Sequence, residues 1–314
     1  MALRVAFFGT PAFAVPTLKR LVHSHHAVVG VISQPDRARG RGQQVSDAPV
    51  KALATSRGLP ILQPERLTRE LFEAAFTALR ADIGVVAAYG KILPDWLLAT
   101  PRLGLINVHA SLLPRHRGAS PVHRALIGGD AETGITIMRV VKALDAGPML
   151  SQVRLLIGAD DTTTLVEAEL AARGADLLLA TLDEIEHERA TETPQDDTLV
   201  TYAPKLTKVE GQVDWQRPAR EVHNLVRGLW PWPHAYAFLA DTRFILHRSR
   251  LSPRSADAAA GTILVASATA GLHVACGAGA IEILDLQLAG KRVMSARDAM
   301  SGPLLKAGAR FVTP

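Results

Sequence analysis

The stretch LRVAFFGTP (3–11) decides the reading of the fold. Five of its first six residues are apolar and do not alternate with polar ones, which is the pattern of a strand covered on both faces. Gly9-Thr10-Pro11 then breaks the strand, and a helical stretch runs to about His23. The same unit recurs downstream. AVVGVIS (27–33), DIGVVAAYG (82–90) and GLINVHA (104–110) are further apolar runs, and LTRELFEAAFTALR (67–80) between them has helical periodicity. Strands and helices in alternation predict an α/β architecture, a Rossmann-like, mostly parallel sheet with helices on both faces. GITIMRV (134–140) and MLSQVRLLI (149–157) add two strands joined through Gly147-Pro148, and TTLVEAELAARGADLLLATLDEI closes the unit as a long helix. A first domain over 1–189 is expected.

Periodicity stops in ERATETPQDDTLVTYAPKLT, so 190–207 is expected to be a linker. The remainder, 208–314, opens with a helical pattern, AREVHNLVRGLW. Five short β-rich segments follow: HAYAFLA, RFILHRS, GTILVAS, GLHVACG and AIEILDLQLAG. Short strands with small turns predict a C-terminal OB-like small β-barrel domain. Charge follows the same division. From Lys205 onward there are 14 Lys and Arg against 8 Asp and Glu, leaving 21 against 22 before it. A basic C-terminal third suits a polyanionic partner, and a small barrel suits an oligonucleotide.

Hydrophobic residues at 48% and charged residues at 21% exclude a disordered chain. The single cysteine, Cys276, excludes an internal disulfide or a thiol-based zinc site and reads as a small buried hydrophobe. The apolar start is interrupted by Arg4, Gly9, Pro11 and Pro16, and no run is long enough to span a bilayer. A soluble, cytoplasmic protein with no membrane partner is expected.

The densest polar cluster follows a strand: Asn107-Val108-His109-Ala110-Ser111-Leu112-Leu113-Pro114. Residues two apart on a strand share a face, which places Asn107 and His109 together, with Ser111 next in line on that face. Asp145 lies in the turn between the next two strands. An amide donor, an imidazole and a carboxylate suit acyl transfer between nitrogens, where an oxyanion needs a donor and protons must move. Taken singly, each residue has an ordinary reading as a turn former or a satisfied strand-end residue. The turn after the first strand lacks Gly-x-Gly-x-x-Gly, which counts against a nucleotide-cofactor oxidoreductase. No Gly-x-Ser-x-Gly elbow surrounds Ser111. His23, His25 and His26 have no metal-ligand spacing and read as a solvated helix end, so no metal is expected.

NVHASLLPRHRGASPV (107–122) with LDAGPML (144–150) resembles the signature of the folate-dependent formyltransferases. FFGTPAFAVP, VVAAYGKILP (85–94), GDAETGITIM (129–138) and LWPWPHAYAF (229–238) resemble further blocks of that family, in its order and across both expected domains. The resemblance implies 10-formyltetrahydrofolate as co-substrate. It implies Asn107, His109 and Asp145 as the catalytic trio, and folate contacts at Ser111, Leu112, Leu113, Pro114, Tyr89 and Gly90. His116 stands where the family pattern has an aromatic residue. The family members most similar to this chain act on initiator methionyl-tRNA, which makes that RNA the expected partner of a monomer. The loop QPDRARGRGQQVSDAP (34–49) would present Arg37, Arg39 and Arg41 to it, since arginines suit phosphates and unpaired bases. Lys205, Lys208, Arg243, Arg248 and Arg250 are expected to follow the RNA backbone, while Trp230 and Trp232 either stack on a base or pack a rigid corner. The alternatives are a formyltetrahydrofolate hydrolase or a formyltransferase to a non-RNA amine and, more distantly, a non-catalytic RNA-binding protein.

Overall fold

The computed structural model describes residues 2–36, 38–39, 44–45 and 47–312. Two compact units form: Met1–Pro121 with Thr133–Leu155 and Glu167–Ala203, and Val122–Glu132 with Leu156–Val166 and Pro204–Pro314.

In chain order, the first part contains β1 (Arg4–Gly9), α1 (Val15–Val22), β2 (Ala27–Ile32), the two-residue strands β3 (Ala38–Arg39) and β4 (Gln44–Val45), and α2 (Pro49–Ser56). β5 (Ile61–Leu62), α3 (Arg69–Ala78), β6 (Ile83–Ala87), α4 (Asp95–Ala99) and β7 (Leu105–His109) follow. Then come α5 (Pro121–Gly128), β8 (Glu132–Arg139), β9 (Met149–Leu156) and α6 (Thr163–Glu186). The seven-stranded sheet has the order β5-β2-β1-β6-β7-β8-β9. β1 runs parallel to β2 and β6, and β6 runs parallel to β7, whereas β8 is antiparallel to β7. The apolar runs become central strands, with five of the six residues of β1 buried. β9, at the sheet edge, alternates between exposed and half-buried positions, as a strand with one wet face must.

Phe72 and Phe76 of α3 lie four apart and so on one helix face; Phe76 reaches the ring of Phe8 with centroids at 5.6 Å, and Phe72 packs on Phe76 at 5.8 Å. Tyr89 closes edge-on to Phe8 at 5.5 Å. Burial of each such side chain contributes about 1.5–3 kcal/mol, which anchors the end of β6 and the residues after it. Along α6, Leu170, Ala171, Ala175, Leu178, Leu182 and Ile185 are buried at helical spacing. Gly174 lets this helix sit close on the sheet, because a Cβ there would lie 3.0 Å from Val108 Cγ1.

The stretch 190–203 forms no regular element beyond a single turn of 3₁₀ helix, Asp197–Leu199. Its backbone is nevertheless bonded into the first unit, Thr193 to Met149 and Tyr202 to Arg117. The second unit carries α7 (Ala219–Gly228), β10 (Ala235–Leu239), β11 (Thr242–Leu251), β12 (Ile263–Ser267), β13 (Gly271–Ala275) and β14 (Ala280–Leu288). β15 (Met294–Ser295), α8 (Ala296–Ala299) and β16 (Phe311–Val312) complete it. All five β-rich segments are strands of one curled antiparallel sheet, β12-β13-β14-β11-β10-β16. Its two edges meet where Ile263 N donates to Ala309 O and Phe311 N donates to Gly261 O, at 2.8 Å each. Phe244, Leu246, Ile281 and Ile283 fill the interior, and Trp215 stacks on Phe311. No described helix is long and apolar enough to cross a membrane.

Candidate active site

β1 has β2 on one side and β6 on the other, so the strand order reverses there. In open parallel sheets, ligands bind beyond the carboxyl ends of the strands at such a point. The loops at these ends are tied together through Tyr89, whose carbonyl accepts from Gln34 Nε2 at 2.7 Å and from Thr10 Oγ1 at 3.4 Å. The Tyr89 ring lies in the core, where burial pushes its phenol up to about 12. Tyr89 therefore offers this cleft main chain rather than a hydroxyl. Gly90, at φ +81, is exposed beside it.

One strand further on, β7 brings Asn107 and His109 to the same end of the sheet. Asn107 is half-buried and sits between Val86 of β6 and Met138 of β8. Its side-chain amide makes no hydrogen bond among the described residues, although its backbone lies in a strand paired on both sides. His109 is 5% exposed. Its Nε2 lies 3.0 Å from the carbonyl of His116; a carbonyl only accepts, so Nε2 carries the proton. Nδ1 faces Asp145 Oδ2 at 3.7 Å.

Asp145 sits in the loop between β8 and β9 in a left-handed backbone conformation, φ +46, which is rare for a side-chain-bearing residue. Two donors grip it: the backbone Gly118 N–H donates to Oδ2 at 2.8 Å, and the side-chain Gln195 Nε2 donates to the Asp145 carbonyl at 2.9 Å. The residue at 116 thus acts on the trio through its main chain at φ +61, so the family's aromatic side chain is not what the His109 contact needs.

The loop 111–114 is shaped from beneath by two residues the sequence reading missed. Thr136, opposite His109 on β8, donates to Ser111 O at 2.7 Å and accepts from Leu113 N at 3.1 Å. Gln152 donates to Leu113 O and to Thr136 Oγ1, at 2.9 Å each. The only signal for either was a polar residue in an apolar strand. Ser111 is fully buried and its hydroxyl donates to Arg115 O, so it shapes the loop instead of continuing the Asn107–His109 face. Leu113 is buried as well, while Leu112 and Pro114 are half-buried.

Among the expected RNA contacts, Arg37 and Arg41 lie outside the described residues, and Arg39 falls in β3, of which only the backbone is described. Lys205 and Lys208 are exposed. Three of the arginines are engaged within the chain. Arg248 pairs with Asp285, Arg250 pairs with Glu282 at 2.7 Å, and the Arg243 guanidinium lies 3.9 Å over the Tyr236 ring. A groove of about 740 Å³ on the second unit is lined by Arg250, Arg254, His273 and Arg297, among others. Trp230 packs against His234 and His247, whereas Trp232 is 47% exposed. Cys276 is buried, as expected.

His23 and His25 are exposed, but His26 is not, and this corrects the reading of all three as a solvated helix end. Ligand atoms of His25, His26, Asp183 and Glu186 lie within 4.8 Å of one another. Metal chemistry does not suit them. His26 Nδ1 accepts from Leu3 N at 3.3 Å, so the ring proton stays on Nε2, 3.2 Å from Asp183 Oδ1. Burial holds the His26 imidazole below its usual range, and the bond from His25 holds Glu186 down at about 2. The group is an ion-paired corner.

Residues 3–182 match the model of the formyl transferase family, and residues 205–304 match that of the formyl transferase C-terminal domain. The methionyl-tRNA formyltransferase of Methylococcus capsulatus is 45% identical over 311 residues, covering 99% of this chain and 100% of the relative. That of Paracoccus denitrificans is 46% identical over 303 residues, covering 96% of this chain and 98% of the relative. Among solved structures, the N-formyltransferase of Helicobacter canadensis, crystallised with folinic acid and dTDP-3-aminofucose, aligns with a TM-score of 0.68 at 15% identity. It covers 90% of this chain and 98% of that one. HypX of Aquifex aeolicus with tetrahydrofolic acid aligns at 0.64 and 13% identity, over 96% of this chain and 47% of that one. At such identities, these two structures speak for the fold.

Proposed function

Because the chain belongs to the methionyl-tRNA formyltransferase family, we propose that it transfers the formyl group of 10-formyltetrahydrofolate to the free amine of initiator methionyl-tRNA, with Asn107, His109 and Asp145 performing the chemistry. The amine nitrogen attacks the formyl carbon. A carbon–nitrogen bond forms, and the carbonyl pair moves to oxygen. Asn107 donates its side-chain N–H to that oxyanion, the kind of aimed donor worth about 10²–10³ in rate. The ammonium proton passes to the Asp145–His109 pair, at Asp145 Oδ2 or His109 Nδ1. It goes on to the folate nitrogen as the tetrahedral intermediate collapses and the original carbon–nitrogen bond breaks. With Nε2 spent on His116, proton handling falls to Nδ1, and taking up the proton neutralises the pair's net negative charge, which removes a repulsion from the oxyanion.

The observation that carries this reading is the amide of Asn107, without a hydrogen-bond partner among the described residues, two residues along β7 from an imidazole that faces a carboxylate. The co-substrate lies against the 111–114 loop and the main chain at Tyr89 and Gly90. The domain from 208 onward tracks RNA through Lys205 and Lys208 at its entrance, with Arg254 and Arg297 in the groove added to the arginines expected from sequence. Residues 1–189 form the catalytic domain, and the enzyme works as a cytoplasmic monomer. Formyl transfer assayed with initiator methionyl-tRNA, elongator methionyl-tRNA and free methionine tests the acceptor. Product on the initiator alone is expected. Folate turnover without formylated RNA transfers the case to hydrolysis or to another amine.

A further inference from the structure

The carboxylate of Asp145 rides on a loop with little of its own to hold it: Val141, Lys142, Ala143 and Leu144 are all exposed. Its grip comes from the stretch 193–203, which the sequence presented as a featureless linker. A single side-chain amide, Gln195 Nε2, donates to the carbonyl of Asp145 at 2.9 Å and to that of Gly147 at 2.8 Å, clamping both sides of the turn. The other end of the same amide, Oε1, accepts from Arg117 Nε at 2.9 Å. Arg117 is 6% exposed and is held further by Asp197 at 3.0 Å and by its N–H to Thr201 O at 2.9 Å.

Arg117 stands between the two main-chain groups that orient the trio. The carbonyl of His116 before it takes the His109 proton, and the N–H of Gly118 after it holds Asp145 Oδ2. Fixing Arg117 therefore fixes both grips at once, and Gln195 links that fixed point to the turn carrying the carboxylate. We propose that Gln195, braced by Arg117, is a positioning residue that sets Asp145 against His109. The proposal rests on the reading of Asp145 as a reacting group.

The two ends of the Gln195 amide can be separated. Gln195→Glu keeps the acceptor for Arg117, now charged, but removes the donor to both carbonyls. Gln195→Met, of similar length, removes the donor without adding charge. For the full-length enzyme, both variants are expected to lower kcat roughly tenfold to hundredfold, the scale of a misplacement of about 1 Å. KM for 10-formyltetrahydrofolate stays within about threefold, and the melting midpoint of Gln195→Glu stays within about 2 °C of the parent because its Arg117 bond survives. A merely structural tether predicts the opposite split, with kcat retained wherever the Arg117 bond is. Single-turnover rates complete the test. In an Asp145→Asn background, Gln195→Met should add less than about threefold, since the group it positions is gone. Near-parental kcat in both Gln195 variants overturns the proposal, as does a full extra tenfold loss in the double variant. Near-parental kcat in Asp145→Asn alone instead overturns the reading of Asp145.

Discussion

Replacing Thr136 by Val removes one oxygen from beneath the 111–114 loop and changes little else. The residue is fully buried, and Val fills nearly the same volume, so no cavity contribution follows. The lost hydroxyl donates to Ser111 O at 2.7 Å and accepts from Leu113 N at 3.1 Å and from Gln152 Nε2 at 2.9 Å. Gln152 keeps Leu113 O as a partner. The Ser111 carbonyl and the Leu113 N–H are left buried, and each such orphan costs about 1–3 kcal/mol. The expected destabilisation is therefore about 2–6 kcal/mol, or roughly 5–20 °C for a unit of this size. Loop displacement should also raise KM for the formyl-folate by about tenfold, equivalent to about 1.4 kcal/mol of binding. Scanning calorimetry and steady-state kinetics on Thr136→Val and Thr136→Ser read both effects, and Ser should recover most of each because it retains the oxygen. A Val variant that melts within about 2 °C of the parent with an unchanged KM would refute the reasoning.

Acid should weaken the second unit. Burial, with nearby His247 second, holds His234 down at about 4 against 6.5 in the unfolded chain, and burial also lowers His247, His223 and His123. Below pH ~6.5 the unfolded chain binds protons that the folded one refuses, so stability is full above that pH and falls toward pH ~4. Each histidine contributes a slope of up to about 1.4 kcal/mol per pH unit. Urea titrations from pH ~7 to ~5 should show this fall, and His234→Asn, which tolerates the residue's φ of +70, should flatten it; equal stability at both ends contradicts the account. Cys276, pushed up to about 12 by burial, should resist a thiol reagent at about pH 8 in the native protein and react quickly once unfolded. Prompt native labelling would show that the barrel opens there.

The central strands were legible because both their faces are covered, which writes an uninterrupted apolar run into residues 5–8 and 83–87. α2 and α5 were not, since Pro49 and Pro121 occupy their first turns and read locally as breaks. The trio could be seen as a strand-end pair and a turn carboxylate, but its supports could not. Thr136 is an ordinary β-branched strand residue until β8 pairs His109 with it, and Gln195 lies in a segment whose bonds are all tertiary. The charge count of the basic third did not show where its cations sit. Arg248 and Arg250 face Asp285 and Glu282 across the β11–β14 ladder, a neutralisation set by register, which charge counting cannot see. His26 was hidden similarly, its burial decided by Leu3 and Asp183 from distant parts of the chain.

The most direct test of the central claim is the single-turnover rate of formyl transfer to initiator methionyl-tRNA by Asn107→Ala, with folate binding measured on the same protein. The account predicts a rate loss of about 10²–10³ with folate affinity retained, because the amide has no hydrogen-bond partner among the described residues and is assigned to the oxyanion. Transfer at the parental rate would contradict it and remove Asn107 from the chemistry.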